Sequence, residues 1–407
     1  MTKQRYFFTV LILGSLTALG PFSIDMYLPG FPAIAKSLHT TTAQISLSLF
    51  SFFLGISVGQ LLYGPLLDRY GRKKPLYAGL VLYIVTSVGC FFVGSLQALI
   101  ILRFIQAVGS CAAGVASMAM VRDIFPLKDN AKIFAFLILI LGASPMIAPT
   151  VGGYVTVAYG WHSIFLILTG LAVAILIATI FGLPESYKPD PSFSLKPTPI
   201  IINFFKVFIE PQFYTYALAG SFAFAGLFVY VAASPLVFME VFKVSTKIYG
   251  WIFAGLSVGF IGSSQINNFL MKKFKSEQIV FAALVLQLFI TVIFITGAVN
   301  GWFGLGGTIC MVFILLCCVG TISPNASALT LAPFIKNAGT ASALMGAMQL
   351  GLGALASFSV SFFDSRSAVP MAGIMFGSTL IAFIILIVGR KMIKDPITSR
   401  GDVVVGH

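Results

Sequence analysis

The sequence predicts an all-α membrane protein of twelve transmembrane helices, and three observations carry that expectation. Of its 407 residues, 58% are apolar and only 9% are charged, with a mean hydropathy of +1.00. A soluble chain puts roughly a quarter of its residues into charge. The apolar residues run unbroken for about 20 positions at a time, the length that carries a helix across roughly 30 Å of hydrocarbon. A membrane β-barrel would alternate apolar and polar positions instead. Twelve such runs are placed, at 7–28, 43–66, 76–95, 98–121, 132–156, 162–183, 213–238, 248–270, 279–299, 303–333, 340–362 and 369–391.

The formal charge of +13 comes from 25 Lys and Arg against 12 Asp and Glu. In a soluble protein it would suggest nucleic acid, but in a membrane chain the location of the bases decides. With the N-terminus inside, the inner segments collect Lys3 and Arg5, Arg69 to Lys74, Arg122, Lys128 and Lys132, Lys188, Lys196 and Lys206, Lys272 to Lys275, Lys336, and Arg390 to Arg400. The outer loops hold Lys36, Lys243, Lys247 and Arg366. This bias predicts both termini in the cytoplasm and no nucleic-acid partner. Cys90, Cys111, Cys310, Cys317 and Cys318 fall inside apolar runs, and the three histidines show no ligand spacing, so no disulfide framework, metal or cofactor is expected.

Taken in order, span 1 runs through Asp25 to the Leu28-Pro29 corner with no cleavage site behind a short core, and is read as a retained span. Spans 2 and 3 meet at Gly64-Pro-Leu-Leu-Asp68-Arg69-Tyr-Gly71-Arg72-Lys73-Lys74. Glycines there permit a tight reversal and close helix approach, and Asp68 can accept bonds from a helix N-terminus or from Arg122 at the inner end of span 4. A plain stop-transfer loop would need the positive charge but not this order. Span 4 carries Arg103 about one and a half turns in from its outer end. Span 5 carries Pro145, Pro149, Gly152 and Gly153, which bend a helix and permit close contact. After span 6, residues 184–212 form the one long polar, proline-bearing interruption, so the chain divides into halves at 1–183 and 213–391 with a linker between them and a tail at 392–407.

GISVG at 55–59 in span 2 reappears as GLSVG at 255–259 in span 8. A slide of one helical turn sets Asn268, Lys272 and Lys273 opposite Gly64, Asp68 and Arg69 instead, and both registers pair the same two helices of duplicated six-helix halves. In the second half, Tyr230 and Ser234, Asn325 beside Pro324, and Met345 and Gln349 set polar groups beside aromatic and sulfur side chains. They serve either helix packing or contact with varied amphipathic ligands.

The run from Gly64 to Lys74 resembles the signature loop of the major facilitator superfamily. Arg103-Phe-Ile-Gln106-Ala-Val-Gly109 is similar to its span 4 pattern, with Ala107 where Gly is usual, and Pro145-Met-Ile-Ala148-Pro149-Thr-Val-Gly152-Gly153 to its antiporter motif, with Ala148 for the first Gly. Ser23-Ile-Asp25-Met-Tyr-Leu-Pro29, Val121-Arg122-Asp123, Tyr230-Val-Ala-Ala-Ser234-Pro235, Pro324-Asn325-Ala-Ser-Ala-Leu and Ala338-Gly339-Thr-Ala-Ser-Ala-Leu together resemble the Bcr/CflA drug-resistance branch. The resemblance covers nearly the whole chain. It implies the major facilitator fold, two pseudo-symmetric six-helix bundles around a mid-membrane cavity working by alternating access. It further implies a proton-driven exporter of small amphipathic or drug-like molecules in the bacterial cytoplasmic membrane, expected as a monomer.

Asp25 is the only acid and Arg103 the only base placed inside a span. A charge in hydrocarbon costs several kcal/mol by insertion scales, so it persists where it faces a wet cavity or a partner. Asp25 is therefore assigned as proton carrier and Arg103 as its electrostatic partner. The alternatives are an interfacial acid ending a helix for Asp25, and for Arg103 a hydrogen bond to carbonyls freed near the span 1 prolines. Gly64, Asp68, Arg69, Gly71, Arg72 and Arg122 form an expected inner-side latch favouring the outward-open state. The span 5 motif either packs spans or seals the cavity against proton leak. Rival readings are a dedicated exporter or importer of one metabolite (a siderophore, nucleoside or sugar) and a non-transporting membrane enzyme or receptor. The enzyme reading lacks an in-span nucleophile and base, and no GxxxxGK[ST] occurs, so ATP is not the direct energy source.

Overall fold

The computed structural model describes residues 3–190, 197–334, 338–363 and 367–393, and every regular element among them is helical. Lys196, Lys336, Asp364, Arg366, Lys394, Arg400 and the tail from 394 onward lie outside the described residues. Helix α1 (Lys3–Asp25) stops short of the expected residue 28. The cause is Pro29, whose ring excludes the carbonyl four residues earlier, that of Asp25. A 3-10 turn (Leu28–Gly30) and short α2 (Phe31–Ser37) follow. The Thr41 hydroxyl caps α3 (Thr42–Tyr70) by accepting from the Gln44 amide, and Gly71 ends it at φ +82°. Next come α4 (Lys73–Phe91) and α5 (Leu96–Ile124), the latter capped by Ser95. They are followed by α6 (Leu127–Tyr159) and α7 (His162–Gly182).

The expected linker contains a helix, α8 (Pro197–Phe208). Helix α9 (Pro211–Ser234) widens into a π-turn (Pro235–Val241) where Pro235 removes a backbone donor. The remaining helices are α10 (Thr246–Leu270), α11 (Ser276–Val299), α12 (Leu305–Leu331), α13 (Ala338–Val360) and α14 (Val369–Arg390). Among the described residues, eleven stretches are long and apolar enough to cross a membrane. The twelfth expected span is present as α10, 25 residues long but not among the eleven; Ser263, Ser264, Gln265, Asn267 and Asn268 make its second half polar.

The chain divides into two compact units, Met1–Lys196 with Ser234–Gly255, and Pro197–Ala233 with Leu256–His407. In the first, small residues bring backbones together: a Cβ on Gly55 of α3 would lie 2.5 Å from the Phe104 carbonyl oxygen of α5. Buried hydroxyls cross-link α1 to its neighbours, Ser23 to Tyr83 at 2.6 Å and Thr17 to Ser117 at 2.9 Å. The core of the second unit is built from Tyr216, Ala223, Leu284, Ile322, Leu329 and Leu386. Side-chain donors there reach the carbonyls of other helices, Gln287 to Ala223, Gln212 to Leu329 and Arg390 to Glu277.

Candidate functional site

Asp25 is the last residue of α1 and only 5% accessible. Its carboxylate makes no hydrogen bond and no ion pair among the described residues. Tyr249 of α10 lies close enough to feel its charge, and the Tyr249 hydroxyl shares a 2.8 Å hydrogen bond with that of Ser234. Gly152 of α6 packs on the adjoining backbone so closely that a Cβ there would collide with the Met26 carbonyl.

Arg103 is fully buried in α5, and it makes no ion pair with Asp25 among the described residues. Its Nη2 donates to the Ser23 carbonyl at 2.9 Å and its Nη1 to Gln106 Oε1 at 2.7 Å, while Gln106 donates onward to Ser87 at 2.6 Å. The last turn of a helix leaves carbonyls without intrahelical donors, and the end of α1 at Asp25 makes Ser23 one of them. The rings of Phe52 and Tyr27, centred 4.1 and 4.7 Å from the guanidinium carbon, face the cation where a carboxylate was expected.

At the α3–α4 junction the expected pairing is also replaced. Asp68 does not bond Arg122, which is exposed and lies over the Phe134 ring at 5.9 Å. Asp68 instead accepts from Arg72 Nη1 at 2.8 Å, while Arg72 Nε donates to Asp123 at 2.7 Å and the guanidinium covers the Tyr187 ring at 4.2 Å. Spacing decides this: Asp68 and Arg72 stand four residues apart across one turn of chain, within direct reach. Burial opposes the charge on Arg72, yet Asp123 and Asp68 together hold its pKa above the ordinary arginine value.

The helix N-terminus is capped from another direction. The Glu185 carboxylate accepts from the backbone amides of Arg72 at 2.8 Å and Lys73 at 3.1 Å, and Lys73 Nζ donates to the Leu183 carbonyl. Gly71 makes the reversal, with a Cβ position only 3.1 Å from Glu185 Oε2. Gly64 makes no comparable approach, since nothing lies within 4 Å of its Cβ position, and Arg69 stands over the Tyr70 ring. Sequence reasoning missed Glu185. The signal available was its place as the first acid after span 6.

Pro145 and Pro149 lie inside α6, whose C-terminal half is clasped from two sides. Gly152 meets Met26, while Gly153 meets the Thr246 carbonyl, and Gly250 of α10 meets Thr150 and the Pro149 carbonyl. Nearby, Lys247 sits over the Tyr154 ring and the Thr42 hydroxyl donates to Glu240. The glycine at the start of span 8 was the overlooked signal.

The five residues singled out in the second half do not converge on one pocket. Met345 and Gln349 of α13 line a pocket with Tyr216 and Ser221 of α9 and Ser323 and Ser327 of α12. Asn325 is not part of that lining; its amide bonds Asn267 at 2.6 Å and the Thr321 carbonyl at 2.9 Å. Tyr230 is buried within α9, and Ser234 belongs to the first unit with Tyr249. Adjacency along a helix does not fix which face a side chain takes.

Residues 13–358 match the family model of the Major Facilitator Superfamily. A bicyclomycin resistance protein homolog of Haemophilus influenzae is 31% identical over 393 residues, 94% of this chain and 96% of the relative. Multidrug resistance protein MdtL of Klebsiella pneumoniae is 26% identical over 92% of this chain and 93% of its own length. The crystal structure of a D-xylose-proton symporter shares the fold, with a TM-score of 0.72 at 15% identity, covering 97% of this chain and 99% of that one.

Proposed function

The chain belongs to the Major Facilitator Superfamily, among its Bcr/CflA-type drug-resistance proteins, and from that premise we propose that this transporter is a proton-coupled antiporter. It exports small amphipathic or drug-like molecules across the bacterial cytoplasmic membrane by alternating access, with both termini inside, as a monomer. Residues 1–183 and 213–391 are its two moving halves. The observation that carries this reading is Asp25, an in-span carboxylate with no ion pair among the described residues, set at the end of α1 against the antiporter motif through Met26 and Gly152. An acid without a fixed partner can exchange its proton as its access to water changes. Arg103 shapes the backbone that carries Asp25, and the Arg72 cluster acts as the inner-side latch. The names of the bicyclomycin and multidrug resistance relatives support drug-like cargo.

Proteoliposomes with an imposed pH gradient test the reading, using a labelled drug to which the protein confers resistance in hypersensitive cells. Wild-type protein accumulates the drug against its gradient and collapses the pH difference. Asp25→Asn keeps the size and removes the titrating group, so gradient-driven transport falls to background while drug binding in detergent survives. Wild-type transport by Asp25→Asn would overturn the carrier role.

A further inference from the structure

We propose that α8 is an interfacial helix whose exposed apolar face lies in the bilayer beside the second unit, with Lys206 at the level of anionic lipid headgroups. From the transport reading it takes only which leaflet is meant, the cytoplasmic one. Prolines bound the helix: Pro197 and Pro199 stand in its first turn, where a missing amide hydrogen costs nothing, and Pro211 drives the residue before it out of the helical region. The Ile209 amide still donates to the Phe205 carbonyl at 3.0 Å, so the helical course extends one residue past Phe208. Successive residues of a helix advance about 100°, so Phe208, Ile201, Phe205, Ile209 and Ile202 in that order share one continuous arc of about 120°. All five are exposed, Ile201 and Phe205 to 62% each. Val207 and the half-buried Phe204 flank this arc on the protein side, and the exposed Lys206 and Asn203 flank it on the other. The helix thus has three faces where a surface helix in water needs two.

Its place in the fold names the occupant of the third face. Only Ile209 and Glu210 separate α8 from α9, which opens a stretch long and apolar enough to cross a membrane, so the end of α8 stays within about 10 Å of that span. Val207 packs in one cluster with Phe213 and Ala217 from the opening turns of α9 and Ala341 from the opening turn of α13. The exposed arc therefore continues the lipid-facing surface of the spans at their edge, and a patch of this size left in water is disfavoured. Charge agrees with lipid as the partner. At the same end of the second unit, the described residues hold Lys206, Lys272, Lys273, Lys275, Arg390 and Lys391 against Glu210 and Glu277. Lys206 borders the arc beside Ile202, where its chain can lie along the acyl boundary while the ammonium meets phosphate.

The test uses purified full-length protein in lipid nanodiscs, which leave both membrane faces open to reagents. A charged, water-soluble maleimide is applied to Ile201→Cys, Phe205→Cys and Asn203→Cys, with the native cysteines of the unsubstituted protein as background. The first two react about tenfold more slowly than Asn203→Cys, because a thiol in the acyl region does not ionise. The fluorescence added by Phe205→Trp is quenched by lipids brominated on their acyl chains and spared by iodide. Changing the lipid from phosphatidylcholine alone to a mixture with about one quarter phosphatidylglycerol slows labelling of Phe205→Cys a further two- to threefold or so, and adding Lys206→Glu abolishes that increment. Labelling of Ile201→Cys and Phe205→Cys as fast as Asn203→Cys would put the face in water, free for a protein partner, and overturn the proposal. Slow labelling without quenching by brominated lipid would mean that the chain covers the face itself, which also overturns it. Indifference to phosphatidylglycerol would refute the headgroup contact. None of these readings involves cargo or protons, so a failure here leaves the transport reading standing, and a failure of gradient-driven transport leaves this proposal standing.

Discussion

Arg103 donates from Nη2 to the main-chain carbonyl of Ser23, two residues before Asp25, and thereby ties α5 to the last turn of α1. The guanidinium thus acts on the acid through the backbone that carries it.

Arg103→Ala would strand two buried acceptors, the Ser23 carbonyl and Gln106 Oε1. The expected cost is about 2–4 kcal/mol, read as a lowered melting temperature in detergent. Arg103→Lys rescues poorly, because one ammonium lacks the planar fork that serves both acceptors. In whatever activity remains, the pH profile of transport keeps its midpoint. A shifted midpoint would place the charge of Arg103 on Asp25 after all.

The Arg72 cluster predicts an order of losses. Asp123 has a 17% accessible side chain and Asp68 a 41% accessible one, both paired with Arg72. A more exposed pair is worth less, so Asp123→Asn costs about 1–2 kcal/mol and Asp68→Asn below about 1. Arg72→Ala exceeds both, since it takes the shared counter-ion from two carboxylates at once. Thermal melts of the three variants check the order, and a larger loss for Asp68→Asn than for Asp123→Asn contradicts it.

Gly71 and Glu185 predict a coupled pair. With φ +82° and ψ 175°, Gly71 adopts a conformation essentially restricted to glycine, and Gly71→Ala costs on the order of 1–3 kcal/mol from backbone strain alone. The added methyl also presses on the Glu185 carboxylate that caps α4. In a Glu185→Ala background, itself about 0.5–1 kcal/mol less stable, Gly71→Ala therefore costs less than in wild type. Strict additivity in the double-mutant cycle would show that the cap does not feel the methyl.

Two glycines of the recognised motifs separate cleanly. A methyl at Gly152 collides with the Met26 carbonyl, rigid backbone next to Asp25, whereas one at Gly64 meets nothing within 4 Å. Gly152→Ala should reach the membrane yet transport at least tenfold more slowly, while Gly64→Ala keeps the melting temperature of wild type. Membrane abundance and initial transport rates distinguish them. Normal transport by Gly152→Ala would mean that α1 and α6 part easily there.

The long apolar helices, their approximate ends and the family were legible in the chain because each is a local property, whereas the short helices α2 and α8 were not. A run of apolar residues long enough to cross a bilayer states its own span, and motifs such as Gly64 to Lys74 sit on contiguous residues. The in-span positions of Asp25 and Arg103 were legible for the same reason. Their partners were not. Arg103 faces Ser23, Phe52 and Tyr27 because the Pro29 break ends α1 at Asp25 and leaves carbonyls open on the face that α5 presents to it. Arg72 takes both Asp68 and Asp123, and Glu185 reaches the α4 N-terminus from beyond α7. The pocket draws Ser221, Ser323, Ser327 and Gln349 from three helices while Asn325, on the same helix as two of them, turns to Asn267. Helix rotation and crossing set these meetings, and both are fixed by packing against residues far away in sequence, so only the tertiary structure decided them.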